Sequence, residues 1–313
     1  MRLSVIISGA NGFIGKALTD YMRNQGYNVI GWDVSKTSDP VCKFRSVDMT
    51  RLAEIESALS GITPDVIIHC AGSANVSDSV INPERDFDLN VGITHNLLHA
   101  IHRQGLNQTR LVYLSSAAVY GNPQNLPLRE IDEIHPISPY ALHKSMCEDM
   151  CRYFVENYDF DIRIARIFSA YGPGLRKQIF WDMYQKLRKT GKLEMFGDGT
   201  ESRDFIYIDD LIRALSFIAI NDLNRHKRNS SDEMVINVAN GEEITIRKIT
   251  ETFADCMGVP HSVISFNGMK RTGDPHNWCA DIARLREIGY EKQVSIEDGI
   301  HRYCEWVVVN ASS

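Results

Sequence analysis

The chain has no Cys-x-x-Cys pair, no internal repeat, no apolar run long enough to cross a bilayer and no surplus of positive charge. Each absence removes a class of protein. Seven cysteines, at positions 42, 70, 147, 151, 256, 279 and 304, follow no paired spacing and describe neither a disulfide framework nor a thiol redox motif. Cys147 and Cys151 share a helix face, where buried thiols are expected. No stretch reaches the ~20 apolar residues of a membrane span, and the opening residues begin directly with a strand pattern rather than a signal sequence. The expected setting is a reducing cytoplasm, with no membrane partner. A net charge of −6 over 313 residues gives no electrostatic case for nucleic acid. Basic residues that hold phosphate must therefore be gathered in a pocket, and no residue set is assigned to a metal. The length suits a large core, built as one large or two closely joined domains.

What the chain does contain is an alternation of strands and helices. Residues 3–8 read as a buried parallel strand, and Gly9-Ala10-Asn11-Gly12-Phe13-Ile14-Gly15 follows directly, leading into an amphipathic run over 13–23. Glycines at 9, 12 and 15 let the backbone turn sharply and approach a pyrophosphate, while the helix start offers N–H groups and a positive dipole end. The first two glycines stand three apart, one more than in the general dinucleotide fingerprint. Asn11, Phe13 and Ile14 complete the loop. A second strand, 28–32, ends at Asp33, whose carboxylate can accept from adenosine ribose hydroxyls and repel a 2′-phosphate. A plain strand-end turn is the alternative role. Lys36 lies near enough to blur the resulting preference for NAD over NADP. Strand patterns at 65–70 and 111–114, with a helical stretch over about 83–104 between them, continue the alternation. The fold class expected is α/β, a doubly wound parallel sheet of Rossmann type. Ligands in such sheets bind at the carboxyl ends of strands, where Gly9, Asp33, Ala71 and Ser116 fall.

Ser138-Pro139-Tyr140-Ala141-Leu142-His143-Lys144 sets a phenol and an ammonium four residues apart, hence on one face of a helix that Ser138 can cap and Pro139 can open. The cation is expected to favour the phenolate and lower the tyrosine pKa, which suits proton exchange with a sugar hydroxyl. Taken alone, such a pair is also compatible with solvated helix surface. His143 is expected to point away from both and face solvent. His69 is expected to be a core histidine at a strand end.

In order and spacing these blocks resemble the extended short-chain dehydrogenase/reductase family, in its NAD-dependent nucleotide-sugar epimerase and dehydratase branch, which includes the UDP-glucose/UDP-galactose 4-epimerases. The similar segments cover nearly the whole chain: 8–15, 48–50, 69–72, 90–91, 114–121, 140–144, 166–174, 197–199, 202–210 and 271–275. The resemblance implies a catalytic set of Ser116, Tyr140 and Lys144. Ser116 would bond the reacting sugar oxygen and pass its proton toward Tyr140, and Lys144 would bind the nicotinamide ribose. It implies NAD as cofactor, held by Gly9, Asn11, Gly12, Phe13, Ile14, Gly15, Asp33, Tyr140 and Lys144. Asp48 and Met49 would lie at the adenine, Cys70, Ala71 and Asn90 along the cleft, and Ile167 and Phe168 beside the nicotinamide. The implied partner is a nucleotide-diphosphate sugar, clamped at its diphosphate by Arg203 and Arg271, whose planar forks suit it. Asp274 would reach the nucleoside ribose, and Glu194-Met195-Phe196-Gly197 would present groups to the base. The resemblance also implies a homodimer through helices near 83–104 and 138–158, with Phe87, Val91, Leu97, Leu98 and Ile101 as apolar surface. Two plainer roles stay open: Ser115 or Ser116 as a strand-end cap, which suits Ser115 better, and Arg203 paired with Asp204 or Glu201 on the surface.

The departures narrow the function. Ala117-Ala118 occupies the positions where the 4,6-dehydratases of this branch carry an Asp-Glu pair, and alanine cannot transfer protons. Dehydration is therefore disfavoured, and decarboxylation with it. Ser169 replaces an asparagine that contacts the substrate diphosphate, and Ala74 replaces a lysine of UDP-galactose 4-epimerases. The leading expectation is an NAD-dependent nucleotide-sugar C4 epimerase. The runner-up is a nucleotide 4-keto-6-deoxy-sugar 4-reductase using the same residues in one direction, and the remote alternative is a non-catalytic dinucleotide sensor. Residues 1–167 are expected to form the NAD-binding Rossmann domain. Residues 168–313 are expected to form mainly a substrate-binding lobe, with about 204–221 returning to the first domain and 224–232 as a surface loop.

Overall fold

The computed structural model describes residues 2–35, 42–223, 233–269 and 275–310. Strands β1 (Ser4–Ser8), β2 (Asn28–Asp33), β3 (Lys43–Ser46), β4 (Val66–His69), β5 (Arg110–Ser116) and β6 (Ile162–Ile167) are interleaved with helices α1 (Phe13–Asn24), α2 (Leu52–Leu59), α3 (Val76–Ile81), α4 (Pro83–Phe87), α5 (Ile93–Arg103) and α6 (Pro139–Tyr158). Beyond them come β7 (Ser169–Tyr171), α7 (Gln178–Thr190), β8 (Leu193–Met195), β9 (Ser202–Arg203), β10 (Phe205–Tyr207), α8 (Ile208–Ile220) and β11 (Val235–Val238). The chain closes with β12 (Ile244–Thr245), α9 (Ile246–Cys256), β13 (Ile264–Phe266), α10 (Ala283–Glu287) and α11 (Ile296–Asn310).

Seven strands pair in parallel in the order β11-β6-β5-β4-β1-β2-β3, the doubly wound Rossmann sheet that the alternation implies. Their apolar residues are buried on both faces. Val5, Ile7, Val66, Ile68 and Val112 pack into one core, while Ile6, Ile67 and Leu111 pack into the core on the opposite face, as the two-residue side-chain period requires. β1 leads to β2 on one side, and the chain then crosses back to β4 on the other. The switch point of the topology therefore lies where β1 and β4 end, with Ser8 opposite His69. Helix α8 packs on α1 and on β4, β5 and β6. β11 also joins this sheet, from Val235 opposite Ile164 to Val238 opposite Ile167. It lies outside the 204–221 stretch that the sequence pattern returns to the first domain, because a four-residue strand leaves too short a period to read.

The stretch 83–104 is not one continuous α-helix. A π-helical segment, Asp88–Gly92, separates α4 from α5, a local irregularity that hydrophobic periodicity does not reveal. Val91, Leu97, Leu98 and Ile101 are buried against the chain's own sheet, so of the five apolar residues offered for a dimer only Phe87 stays exposed, at 39%. An amphipathic helix must first cover its sheet. Exposed apolar side chains lie instead on α6, at Leu142, Met146 and Tyr153. No helix among the described residues is long and apolar enough to cross a membrane.

Candidate active site

The loop after β1 is shaped by close approach. Gly9 has φ +68°, and a Cβ on it would stand 2.7 Å from the Ala71 amide nitrogen; a Cβ on Gly15 would overlap the Gly9 carbonyl oxygen. Gly12 N–H donates to Gly9 O at 2.9 Å and precedes α1 without a side-chain cap, which leaves first-turn N–H groups of α1 to an anion. Phe13 and Ile14 pack on the core beneath. Asp33 accepts from Asn11 N–H at 3.0 Å through Oδ2, and from Ser35 N–H at 3.1 Å and Ser35 Oγ at 3.0 Å through Oδ1. It therefore both holds the strand-end turn and stands beside the loop, with lone pairs to spare. The Asn11 amide bridges to Ser35 O at 2.9 Å.

Along the cleft, Asp48 Oδ1 accepts from Thr50 Oγ1 at 2.7 Å and Thr50 N–H at 3.0 Å, bonds that hold its carboxyl below the ordinary range. Met49 is buried, and Cys70 and Ala71 follow β4, with Ala71 N–H donating to Ser8 Oγ at 3.3 Å. Asn90 lies in the π segment, 1% exposed. Its Nδ2 donates to Asp86 O at 3.1 Å, and its Oδ1 has no partner among the described residues. A glycine cradle, an uncapped helix start, a carboxylate at the end of β2 and an unspent buried acceptor together fit a dinucleotide such as NAD.

Ser116 ends β5, and its Oγ accepts from Ala118 N–H at 3.2 Å, capping the 3₁₀ turn Ala117–Tyr120. Tyr140 sits in the first turn of α6, where Ser138 Oγ accepts from Ala141 N–H at 3.2 Å and Ser79 Oγ accepts from Tyr140 N–H at 3.1 Å. Lys144 lies one turn on. Its Nζ donates to Leu114 O at 2.9 Å and stands 5.9 Å from the centre of the Tyr140 ring. The sequence expectation of a lowered Tyr140 pKa is corrected here. Burial pushes the phenol up to about 12, a hydrogen bond with Ser116 pulls the other way, and Asp86 and Cys147 add to the rise. Burial likewise lowers Lys144. Stripping water from a phenolate dominates, and the Lys144 charge is not among the influences that lower it.

Three neighbours behave differently from their sequence reading or sharpen it. Ser115 is not the strand-end cap: its Oγ donates to Glu148 Oε1 at 2.6 Å, and Ser116 takes the capping role. Adjacent strand residues face opposite sides, and Ser115 is the one facing α6. Glu148 also binds Arg166, at 2.9 Å from Nε and 2.7 Å from Nη2, in a fully buried pair. Burial pushes the Glu148 carboxyl up, but the Arg166 hydrogen bonds and charge outweigh it and hold it below the ordinary range. His143 is not solvated: its Nδ1 lies 2.7 Å from Asp86 Oδ2, because α3 and α4 pack across the start of α6. His69 is the core histidine expected, between Ser8 Oγ at 2.7 Å and Thr94 Oγ1 at 3.4 Å.

On the substrate side, Arg203 Nη1 donates to Ser202 O at 2.7 Å and His276 O at 3.0 Å, and the guanidinium stands 5.5 Å from the Trp278 ring centre. Asp204 is no surface partner for it. Asp204 is fully buried and accepts from the backbone N–H groups of Asn240, Gly241 and Ala280. Trp278 is a residue that the sequence patterns did not single out. It packs with Val76 on Ala118 and Tyr140, lies 6.1 Å from Phe168, and donates from Nε1 to Gly121 O at 3.0 Å. Its only sequence signal is a large aromatic just past the 271–275 block. Ser169 N–H donates to Asp204 O at 3.0 Å, beside Arg203, and Ile167 ends β6 beneath Phe168. Glu194 and Phe196 lie around Lys186, whose Nζ donates to the Glu194 carbonyl oxygen at 2.6 Å and stands 5.5 Å from the Phe196 ring centre. Arg271, Asp274, Lys36 and the 224–232 stretch lie outside the described residues. Among the described residues no cluster of three or more metal-binding side chains occurs.

Residues 5–239 match the model of the NAD dependent epimerase/dehydratase family, and the chain belongs to that family of enzymes. UDP-glucose 4-epimerase of Mycolicibacterium smegmatis is 29% identical to it, over 97% of this chain and 98% of the relative. UDP-glucuronate 4-epimerase of Thermodesulfobacterium geofontis is 28% identical, over 96% and 95% respectively. Among solved structures, MoeE5 in complex with UDP-glucose and NAD is similar with a TM-score of 0.85 and 26% identity, covering 99% of this chain and all 100% of that one.

Proposed function

We propose that this chain is an NAD-dependent nucleotide-sugar C4 epimerase. The observation that carries the reading is the meeting of Ser116, Tyr140 and Lys144 where β5 ends and α6 begins, with Ala117 and Ala118 where a dehydratase would need carboxyl groups. In this reading Ser116 Oγ bonds the C4 hydroxyl of the sugar, and Tyr140 takes its proton and later returns it to the same oxygen once C4 is reduced from its other face. Burial opposes the phenolate, so the Ser116 hydrogen bond and the Lys144 charge must offset that cost during turnover. NAD bound in the cleft supplies a reversible hydride acceptor for the sugar C4. Gly9, Gly12, Gly15 and Asp33 hold the dinucleotide, Lys144 a ribose hydroxyl, and Arg203 with Arg271 the substrate diphosphate while the 4-keto sugar turns. Trp278 packs against the cluster of Ala118, Tyr140 and Ala141 beside the proposed reacting carbon.

The names of the relatives favour epimerisation over one-way reduction of a 4-keto sugar, and they make UDP-sugars the first panel to assay. A sensor without turnover has no use for a complete Ser116, Tyr140 and Lys144 set. The first 167 residues with about 204–221 and β11 form the cofactor half in this account, and most of the remainder forms the substrate lobe. Leu142, Met146, Tyr153 and Phe87 supply the apolar face for a homodimer, which light scattering at micromolar concentration tests. The direct test of cofactor and reaction type is to denature the purified protein and identify the released nucleotide. Stoichiometric NAD supports an epimerase that keeps its cofactor; NADP, or none, contradicts it.

A further inference from the structure

We propose that Asp86 and His143 are positioning residues, a buried pair that fixes the first turn of α6 against α4 and so sets where Tyr140 and Lys144 stand and which charge they face. The proposal rests on the reading of Tyr140 as proton carrier. The two side chains are 2% and 7% exposed, and His143 Nδ1 lies 2.7 Å from Asp86 Oδ2. The imidazole also stands edge-on to Phe87, with ring centres 5.5 Å apart. Ser79 of α3 accepts the Tyr140 N–H, so α3 and α4 together hold the turn that carries the phenol. The Asp86 carbonyl accepts from Asn90, which ties the pair to the π segment beside the cleft.

Asp86 Oδ1 is buried and has no partner among the described residues. A buried carboxylate oxygen left unbonded is costly, and its field is little screened. Ser116, Cys147 and Asp86 act on Tyr140; Cys147, Asp86, Cys70 and Glu148 act on Lys144, which in turn lowers His69. Asp86 strengthens proton binding at both Tyr140 and Lys144.

Asp86→Asn keeps an acceptor for His143 and removes the charge. With UDP-glucose as probe and the NAD-loaded enzyme, both limbs of its kcat against pH profile are expected to move to lower pH by roughly 0.5–1 unit. Both limbs move because, without the Asp86 charge, Tyr140 and Lys144 each yield a proton more easily. His143→Asn is expected to lower kcat roughly tenfold with the KM for UDP-glucose unchanged, since misplacing a proton carrier costs rate rather than binding. It should also speed amide hydrogen exchange across residues 138–146, a readout that needs no substrate. An Asp86→Asn profile that superimposes on wild type, or a His143→Asn variant with wild-type exchange in that turn, overturns the proposal, and either variant decides if the other does not fold. Tyr140→Phe measured alongside separates the two failures: wild-type turnover there sinks the reading of Tyr140, whereas its loss beside unshifted profiles sinks only the pair.

Discussion

Gly15 lies against the carbonyl of Gly9, so close that a Cβ on Gly15 would overlap that oxygen, and the loop after β1 keeps its shape because neither residue has a side chain. Gly15→Ala must push the loop away from α1. Overpacking of this kind costs about 1–3 kcal/mol, read here as roughly tenfold weaker NAD binding. Gly12→Ala, whose Cβ would stand 3.1 Å from the same oxygen, should cost less. Calorimetry with NAD ranks the two, and equal affinities would remove the loop from the cofactor site.

His69 gives the protein a predictable sensitivity to acid. Burial, with the Lys144 charge, pushes its pKa down to about 3, whereas in the unfolded chain it titrates near 6.5. Below about 6.5 the unfolded state takes up a proton that the folded state refuses. The stabilisation is therefore complete above about 6.5 and is lost as the pH falls toward 3, by at most about 1.4 kcal/mol per pH unit. Urea unfolding between pH 7 and 5 should show this slope, and His69→Gln should flatten it. An unchanged slope in the variant would assign the acid sensitivity to other groups.

Arg203→Ala is expected to weaken UDP-sugar binding while leaving NAD binding intact. Losing a charge-assisted hydrogen bond costs about 1.5–3 kcal/mol, or roughly ten- to a hundredfold in affinity. In the proposed reading Ser169, shorter than the asparagine of the enzymes this chain resembles, leaves the arginine more of the diphosphate to hold. The variant also withdraws a guanidinium from the face of Trp278, so tryptophan fluorescence should report the change. Wild-type affinity for every UDP-sugar would remove Arg203 from the substrate site.

The centre of the sheet was legible because β1, β2, β4 and β5 are compact apolar runs closed by turns, and because glycines at 9 and 15 answer a steric demand, whereas β3, Lys43-Phe44-Arg45-Ser46, and the four-residue β11 carry no such pattern. The first turn of α6 was legible for the same reason: Ser138 and Pro139 sit next to what they cap. Features that depend on distant partners were not. Ser115 finds Glu148 from another element, His143 finds Asp86 on a helix that only tertiary packing brings across, and Trp278 reaches Tyr140 from far along the chain. The sign of the Tyr140 shift was missed because four-residue spacing shows a cation nearby but not the burial that outweighs it. The π segment, Asp88–Gly92, was hidden because a five-residue stretch is too short to show a change of period.

The central claim, that this chain inverts C4 of a nucleotide sugar by oxidising and re-reducing the same carbon within one pocket, is tested most directly with UDP-glucose deuterated at C4. The account predicts conversion to the C4 epimer with the deuterium still at C4, no net consumption of NADH, and loss of conversion by about 100- to 10,000-fold in Tyr140→Phe. Product in which the label has exchanged with solvent, or turnover that consumes NADH in proportion to product, would contradict it.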